Sequence, residues 1–269
     1  MRHRTSQLSQ PQALAWKERF ILIALMATVA AAAWIYIAHL AWEMDHMAAA
    51  PDMFMPHAGP WRLSEFLLLY VMWAVMMVAM MLPSALPMVL MFAATGRRRR
   101  TQGRQFTTTS LFLSGYFLVW FAFSVLASAV QWALHQAAVL TPMMTPRTSW
   151  LGGVVLLMAG LYQWTSLKKS CLRHCSSPLS FIMGHWRSGQ WGALRMGIEH
   201  GMYCTGCCWA LMALLFAIGV MNVLWVAAIA AFVLIEKVFP RRELIAKASG
   251  AVLAALGLYV LAAPQSPLH

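Results

Sequence analysis

Long apolar runs, separated by short basic or polar segments, form the dominant pattern of this chain. A helix that spans a bilayer needs roughly 20 mostly apolar residues. Seven stretches come close to that length: residues 20–42, 65–95, 106–138, 149–167, 191–220, 222–239 and 243–262. Because backbone amides in lipid must pair within their own segment, all seven are predicted to be helical. The pattern therefore predicts an all-α, polytopic transmembrane helical bundle of about seven spans.

Composition supports a membrane protein. Hydrophobic residues make up 61% of the chain and charged residues only 10%, whereas soluble domains carry about 25% charged residues. We expect a cytoplasmic tail at 1–19, a single transmembrane domain at 20–262 and a C-terminal tail at 263–269. The first span has the basic head of a signal peptide, but its apolar run is long for one, so we interpret it as a retained span.

Basic residues alternate from one side of the predicted spans to the other. Lys and Arg accumulate in short cytoplasmic loops, and here they precede the first span and follow the second, fourth and sixth. This pattern predicts a cytoplasmic N-terminus and an extracytoplasmic C-terminus. It also accounts for most of the net charge of +12, so nucleic-acid binding is not indicated.

The segment HGMYCTGCC, residues 200–208, places one imidazole and three thiols within two helical turns. At about 100° per residue, His200, Cys204 and Cys207 fall within roughly 60° of one another, with Cys208 roughly 40° further round. His and Cys bind zinc and copper(I), and thiolates select the softer ion. One buried cysteine is ordinarily a small hydrophobe, but four such donors on one face predict a metal site. Since they all point one way, other helices must complete it.

A second cysteine pair lies in the segment KKSCLRHC, residues 168–175, which we interpret as a cytoplasmic loop. The basic neighbours of Cys171 and Cys175 are expected to lower the pKa values of both thiols. In a reducing compartment, a metal or redox role is favoured over a permanent disulfide. Two ordinary loop cysteines are the alternative. Because the pair faces the same side as the 200–208 stripe, all five cysteines are candidates to act together.

Methionine is abundant, with 21 residues in the chain. Two i, i+4 series on the second span form what we call the methionine ladder: Met72, Met76 and Met80, and beside them Met77 and Met81. Thioether sulfur is a soft ligand suited to copper(I), although methionine also fills apolar cores. The ladder is therefore a candidate route for a soft ion.

The outer loop between the first two spans combines methionine and histidine in an exposed segment, MDHMAAAPDMFMPH, residues 44–57. Core packing does not explain such a cluster outside the membrane. We interpret it as a first contact with extracytoplasmic copper, with four candidate ligands: Met44, His46, Met47 and His57.

Three charged residues near the predicted site need partners. Glu236 and Lys237 close the sixth span, where Lys237 is expected to extend to the membrane interface and Glu236 needs a partner or a water-filled pocket. Glu199 points about 100° away from His200. It orients that imidazole only if packing from a neighbouring helix brings the two side chains together. Whether 191–202 is a separate interfacial helix is open, and such a helix would move His200 relative to the thiols.

Four long motifs carry a resemblance to a known family: MWAVMMVAMMLPSALPM, LYQWTSLKKSCLRHCSSPLSF, GHWRSGQWGALRMGIEHGMYCTGCCWALM and GVMNVLWVAAIAAFVLIEKVFP. From about Trp61 to Gly257 the chain resembles the bacterial predicted metal-binding integral membrane proteins grouped as domain of unknown function 2182. Ser166 stands where the pattern has proline. The resemblance implies a role for the matching positions, which are Met76, Met80, Met81, Pro83, Tyr162, Gln163, Lys168, Cys171, Cys175, His185, Trp186, His200, Cys204, Cys207, Cys208, Glu236 and Lys237.

Together these features predict a bacterial inner-membrane protein that handles a metal ion, with copper preferred over zinc. Binding, transport and delivery to a cuproenzyme all remain open, and the expected partners are the bilayer, the metal ion and a small soluble or membrane protein. The first alternative is a membrane thiol-disulfide oxidoreductase that uses Cys204 and Cys207 with Cys171 and Cys175. The second is a non-catalytic accessory subunit of a membrane complex. Catalytic activity is not the favoured interpretation.

Overall fold

A computed structural model of the protein describes residues 16–47, 63–103, 108–137, 149–220 and 222–263. These residues form helices and no strand, which confirms the predicted all-α fold class. The helices are α1 (Trp16–Met47), α2 (Leu63–Thr101), α3 (Thr109–Gln136), α4 (Ser149–Tyr162), α5 (Ser166–Cys175), α6 (Pro178–His185), α7 (Gln190–Ile218), α8 (Val223–Val238) and α9 (Arg242–Ala262).

Five of these helices are long and apolar enough to cross a membrane by themselves: α1, α2, α3, α7 and α9. The predicted fourth span is shorter than expected, because α4 has 14 residues and the chain then bends by 68° into α5. The predicted sixth span, α8, has 16 residues. The number of spans and the orientation of the termini therefore stay predictions.

Helix α7 lies at the centre of the bundle, with α3, α4 and α5 packed along it. Glycines allow α3 and α7 to approach closely, since a Cβ atom on Gly197 would collide with the carbonyl of Phe112, and one on Gly115 with that of Leu194. Small residues at such crossings are typical of helices packed within membranes. The close approach brings Tyr116 of α3 against the cysteine face of α7.

Residues 166–175 form helix α5, so the prediction of a loop at KKSCLRHC was wrong. Thr165 caps the helix, because its side chain accepts a hydrogen bond of 3.2 Å from the backbone amide of Lys168. One face of α5 is buried, and it includes Cys171 and Cys175. The open question about residues 191–202 is also settled, since they belong to the continuous helix α7.

Candidate functional site

All five cysteines of the chain are free, buried and carried by α5 and α7. We call them the thiol cluster: Cys171, Cys175, Cys204, Cys207 and Cys208. Cys175 of α5 is buried beside Cys204 and Cys207 of α7 and interacts with both thiols. Gly206 leaves room for Cys171, whose sulfur would lie 2.8 Å from a Cβ atom at that position. The structure thus brings together the two groups of cysteines that the sequence places about thirty residues apart.

The sulfur of Cys204 has two polar neighbours from other helices. The Nζ atom of Lys237 lies 3.0 Å from it, and the hydroxyl of Tyr116 lies 3.1 Å from it. Lys237 also donates a hydrogen bond of 3.0 Å to the Oγ atom of Ser84. The expectation that Lys237 extends to the interface was wrong, because the last turn of α8 is enclosed by α2 and α7 and the ammonium group finds its partners inside.

Cys207 and Cys208 point back along α7. Each thiol donates to the backbone carbonyl of Cys204 at 3.0 Å. The sulfur atoms of Cys207 and Cys208 are therefore engaged by the backbone, and that of Cys204 faces an ammonium group. Accordingly, no group of three or more His, Cys, Asp or Glu side chains is arranged to hold a metal ion in the part of the chain that the structure describes.

A buried ion pair lies beside the thiol cluster. The Nζ atom of Lys168 lies 2.8 Å from each carboxylate oxygen of Glu236, and both side chains are 1% exposed. Glu236 therefore has the partner that its depth required. The pair connects α5, which carries two of the cysteines, to α8, which carries Lys237.

His200 is buried one helical turn before Cys204. Its ring packs against Tyr116 and Phe181, with centroid distances of 5.7 and 5.4 Å. Within the described residues its Nδ1 atom has no hydrogen-bond partner, and a buried polar atom of this kind calls for an explanation. Imidazole nitrogen is a common metal ligand, so this atom is a candidate donor. Glu199 does not orient it, because its carboxylate pairs with Arg187 and Arg195 at 3.5 and 3.2 Å.

Two further residues were implicated by the resemblance alone. The hydroxyl of Tyr162 in α4 donates a hydrogen bond to the carbonyl of Gly206, between Cys204 and Cys207 in the sequence. Gln163 is buried, and neither polar atom of its side chain has a partner among the residues described here. The hydrogen bond from Tyr162 therefore helps to hold the cysteine face of α7 in position. Gln163 makes no side-chain hydrogen bond to the described residues that would indicate a role.

The methionine ladder is buried along α2. Its inner end lies level with the thiol cluster, because the carbonyl of Met81 accepts hydrogen bonds from Ser84 at 2.9 Å and from Tyr116 at 3.5 Å. Met76 and Met80 follow one another on the same buried face.

The outer-loop candidates fall largely outside the described residues. This holds for His57 and for the side chains of Met44 and Met47. His46 is exposed near the end of α1, where its Nδ1 atom lies 2.8 Å from the carbonyl of Trp42.

The surroundings of the α5 thiols differ from those that the sequence suggests. Cys171 and Cys175 are on the buried face of α5, which packs against α7, and Arg173 turns instead to Glu243, 2.8 Å away. A metal ion that binds these thiols must displace their protons.

Sequence reasoning did not identify Tyr116 and Ser84, which complete the surroundings of Cys204 and Lys237. Tyr116 lies in an apolar run outside the four motifs, and Ser84 lies inside the first motif but is not among the positions that the resemblance implicates. A hydroxyl group at such a depth is a weak signal, because serine also bonds to its own helix, as Ser84 does.

A comparison with protein-family models found one match. The model is described as PpoB2, copper chaperone, and it matches residues 70–260. Because that range covers well over half of the chain, the protein belongs to this copper chaperone family. The match includes every cysteine and the whole methionine ladder, and it supports a copper-related family under a description different from the one that the motifs resemble. No curated protein and no solved structure matches the chain.

Proposed function

We propose that this member of the copper chaperone family is an integral membrane protein that holds copper(I) in the thiol cluster and delivers it to a copper-requiring partner protein. The observation that carries the proposal is the convergence of Cys175 from α5 with Cys204 and Cys207 from α7 in a buried setting. Thiolate and thioether ligands select copper(I) over harder ions. The ion is the cargo of this protein.

Binding of copper(I) at the thiol cluster requires several side chains to move. The thiols of Cys207 and Cys208 turn away from the Cys204 carbonyl, and the ammonium group of Lys237 withdraws from the Cys204 sulfur. His200 offers an unpaired Nδ1 atom on the same helix face. Because copper(I) accepts low coordination numbers, two or three of these donors suffice.

The need for rearrangement suits a protein that must give its cargo away. A preorganised site binds tightly because little has to be ordered when the ligand arrives. Here the hydrogen bonds of three thiols and the contact with Lys237 must be broken first, which weakens the hold on copper. Those same contacts re-form when the ion departs and so favour release.

The methionine ladder supplies a route to the thiol cluster. Met72, Met76 and Met80 succeed one another at about 6 Å along the axis of α2, and Met81 reaches the level of Tyr116. In the predicted orientation this ladder descends from the extracytoplasmic side. The outer-loop candidates, including His46, then act as the first contact for the ion.

Burial argues against the oxidoreductase alternative. Reactive cysteines lie in partly exposed positions where a partner thiol can approach, whereas Cys204, Cys207 and Cys208 are at most 1% exposed. A small ion can reach such sulfur atoms more readily than a protein disulfide can.

The proposal is tested by the copper content of the protein after anaerobic purification from copper-supplemented cells. Wild type should retain copper, and Cys204→Ser and Cys207→Ser should lose most of it. Met202→Leu is the matched control, since Met202 is an exposed sulfur residue on the same helix, and it should retain copper. A wild type without copper whose free thiols fall in number on oxidation would favour the oxidoreductase instead.

A further inference from the structure

A basic pocket opens where α5, α6 and α9 meet, on the surface and apart from the thiol cluster. Its lining consists of two arginines, one histidine and two serines: Arg173, His174, Ser177, Ser180 and Arg242. Guanidinium and hydroxyl groups in one concave surface form the donor set that recognises phosphate oxygens.

The positive charge of this pocket is not fully balanced. Glu243 pairs with Arg173 at 2.8 Å and with Lys169 at 3.1 Å. Arg242 forms no ion pair with any residue that the structure describes. Its guanidinium makes only long hydrogen bonds to neutral oxygens, 3.4 Å to the Ser176 carbonyl and 3.5 Å to the Ser177 hydroxyl. Arg242 is therefore available to an anion.

An apolar groove lies further along α9, where α4, α7, α8 and α9 surround a volume of about 560 Å³. Its lining is hydrophobic apart from Ser249 and includes Trp225, Leu253, Leu256 and Val260. Several of these side chains are half-exposed, among them Trp225 and Leu256.

The pocket and the groove share one face of α9. At about 100° per residue, Arg242, Ser249, Leu253 and Val260 lie within roughly 40° of one another. Arg242 precedes the groove by about 10 Å, and the groove then extends for about 16 Å along the helix. That length is close to one leaflet, half of the roughly 30 Å hydrocarbon core.

We propose that an anionic phospholipid binds along this face, with its phosphate at Arg242, Arg173 and Ser177 and one acyl chain in the groove. The order of features, a cationic pocket at a helix end followed by an apolar groove of leaflet length, matches the order of charge and hydrocarbon in a lipid. Basic pockets between membrane helices are known to take anionic headgroups. The proposal assumes that α9 crosses the membrane and does not depend on copper binding.

The lipid would also act on the thiol cluster. Arg173 and His174 are the two residues that precede Cys175 on α5, and Arg242 is the first residue of α9. A phosphate held between them ties α5 to α9. Bound lipid is therefore expected to hold Cys175 in place against α7.

The test measures lipids bound to the full-length protein in detergent by native mass spectrometry. Phosphatidylglycerol and phosphatidylcholine with identical acyl chains are titrated against wild type, Arg242→Gln and Arg241→Gln. The two variants remove the same charge from adjacent positions, but Arg241 does not line the pocket. Wild type should prefer phosphatidylglycerol, Arg242→Gln should bind it about tenfold more weakly, and Arg241→Gln should behave as wild type.

A second pair of variants tests the groove. Leu256→Trp fills it, whereas Leu258→Trp adds the same bulk at an exposed position on α9 outside the groove. Only Leu256→Trp should reduce lipid binding. Equal losses in the members of either pair would overturn the proposal. So would competition by inorganic phosphate as effective as that by the lipid, because it would identify a free-phosphate site.

Discussion

The ion pair between Lys168 and Glu236 gives a prediction with a calculable size. Both side chains are 1% exposed and their charged atoms lie 2.8 Å apart. Removal of one partner from a buried pair costs about 3–5 kcal/mol, because the remaining charge has no counter-charge and little water. Glu236→Gln leaves the Lys168 ammonium in that state while it nearly preserves the shape of the side chain.

Thermal unfolding in detergent provides the assay. At about 2–4 °C per kcal/mol for a chain of this size class, Glu236→Gln should lower the unfolding midpoint by roughly 10 °C. The double variant Lys168→Met with Glu236→Leu should recover most of that loss, since two apolar side chains replace a buried pair at little cost. Glu243→Gln removes an exposed carboxylate and should leave the midpoint nearly unchanged.

Two results would refute this reasoning. If Glu236→Gln lowers the midpoint no more than Glu243→Gln does, water reaches the pair and the surroundings of the thiol cluster are wetter than the structure indicates. If the double variant is less stable than the single one, the ion pair stabilises the fold beyond its own desolvation cost.

Three further outcomes are expected. Tyr162→Phe removes the hydrogen bond to the Gly206 carbonyl and should lower the free energy of unfolding by about 1 kcal/mol; an unchanged value would mean that water replaces the bond. Gly197→Ala should destabilise the protein strongly, because the new Cβ atom meets the backbone of α3, whereas Gly184→Ala has open space and should not; equal unfolding midpoints would contradict the packing of α3 on α7. Met76→Leu nearly conserves volume and should keep the unfolding midpoint, yet slow the loading of copper added from the extracytoplasmic side in proteoliposomes; an unchanged loading rate would exclude Met76 from the route.

The extent of the helices could be predicted from the sequence because apolar length alone determines whether a helix can cross a bilayer. The same criterion overestimated the fourth span, since α4 ends at Tyr162, whereas α8 agrees with its predicted bounds to within one residue. The criterion treats polar residues at the end of a run, such as Gln163, as part of a continuous helix, although the chain bends after Tyr162. A bend depends on contacts with other helices, which a linear pattern does not contain.

The shared cysteine face could likewise be predicted, since helical periodicity fixes which side chains of α7 lie together. The partners of Cys204 could not. Lys237 and Tyr116 reach its sulfur from α8 and α3, and their approach depends on the order in which helices pack around α7. The burial of the α5 thiols could not be predicted for the same reason, because it depends on the packing of α5 against α7.

X-ray absorption at the copper edge tests most directly whether the buried thiols form the copper site. The protein loaded anaerobically with one equivalent of copper(I) should show a first shell dominated by sulfur. Cys204→Ser and Cys207→Ser should each reduce that sulfur contribution, while Met202→Leu should leave it unchanged. A shell of nitrogen and oxygen alone, or a sulfur shell that neither cysteine variant alters, would contradict the account.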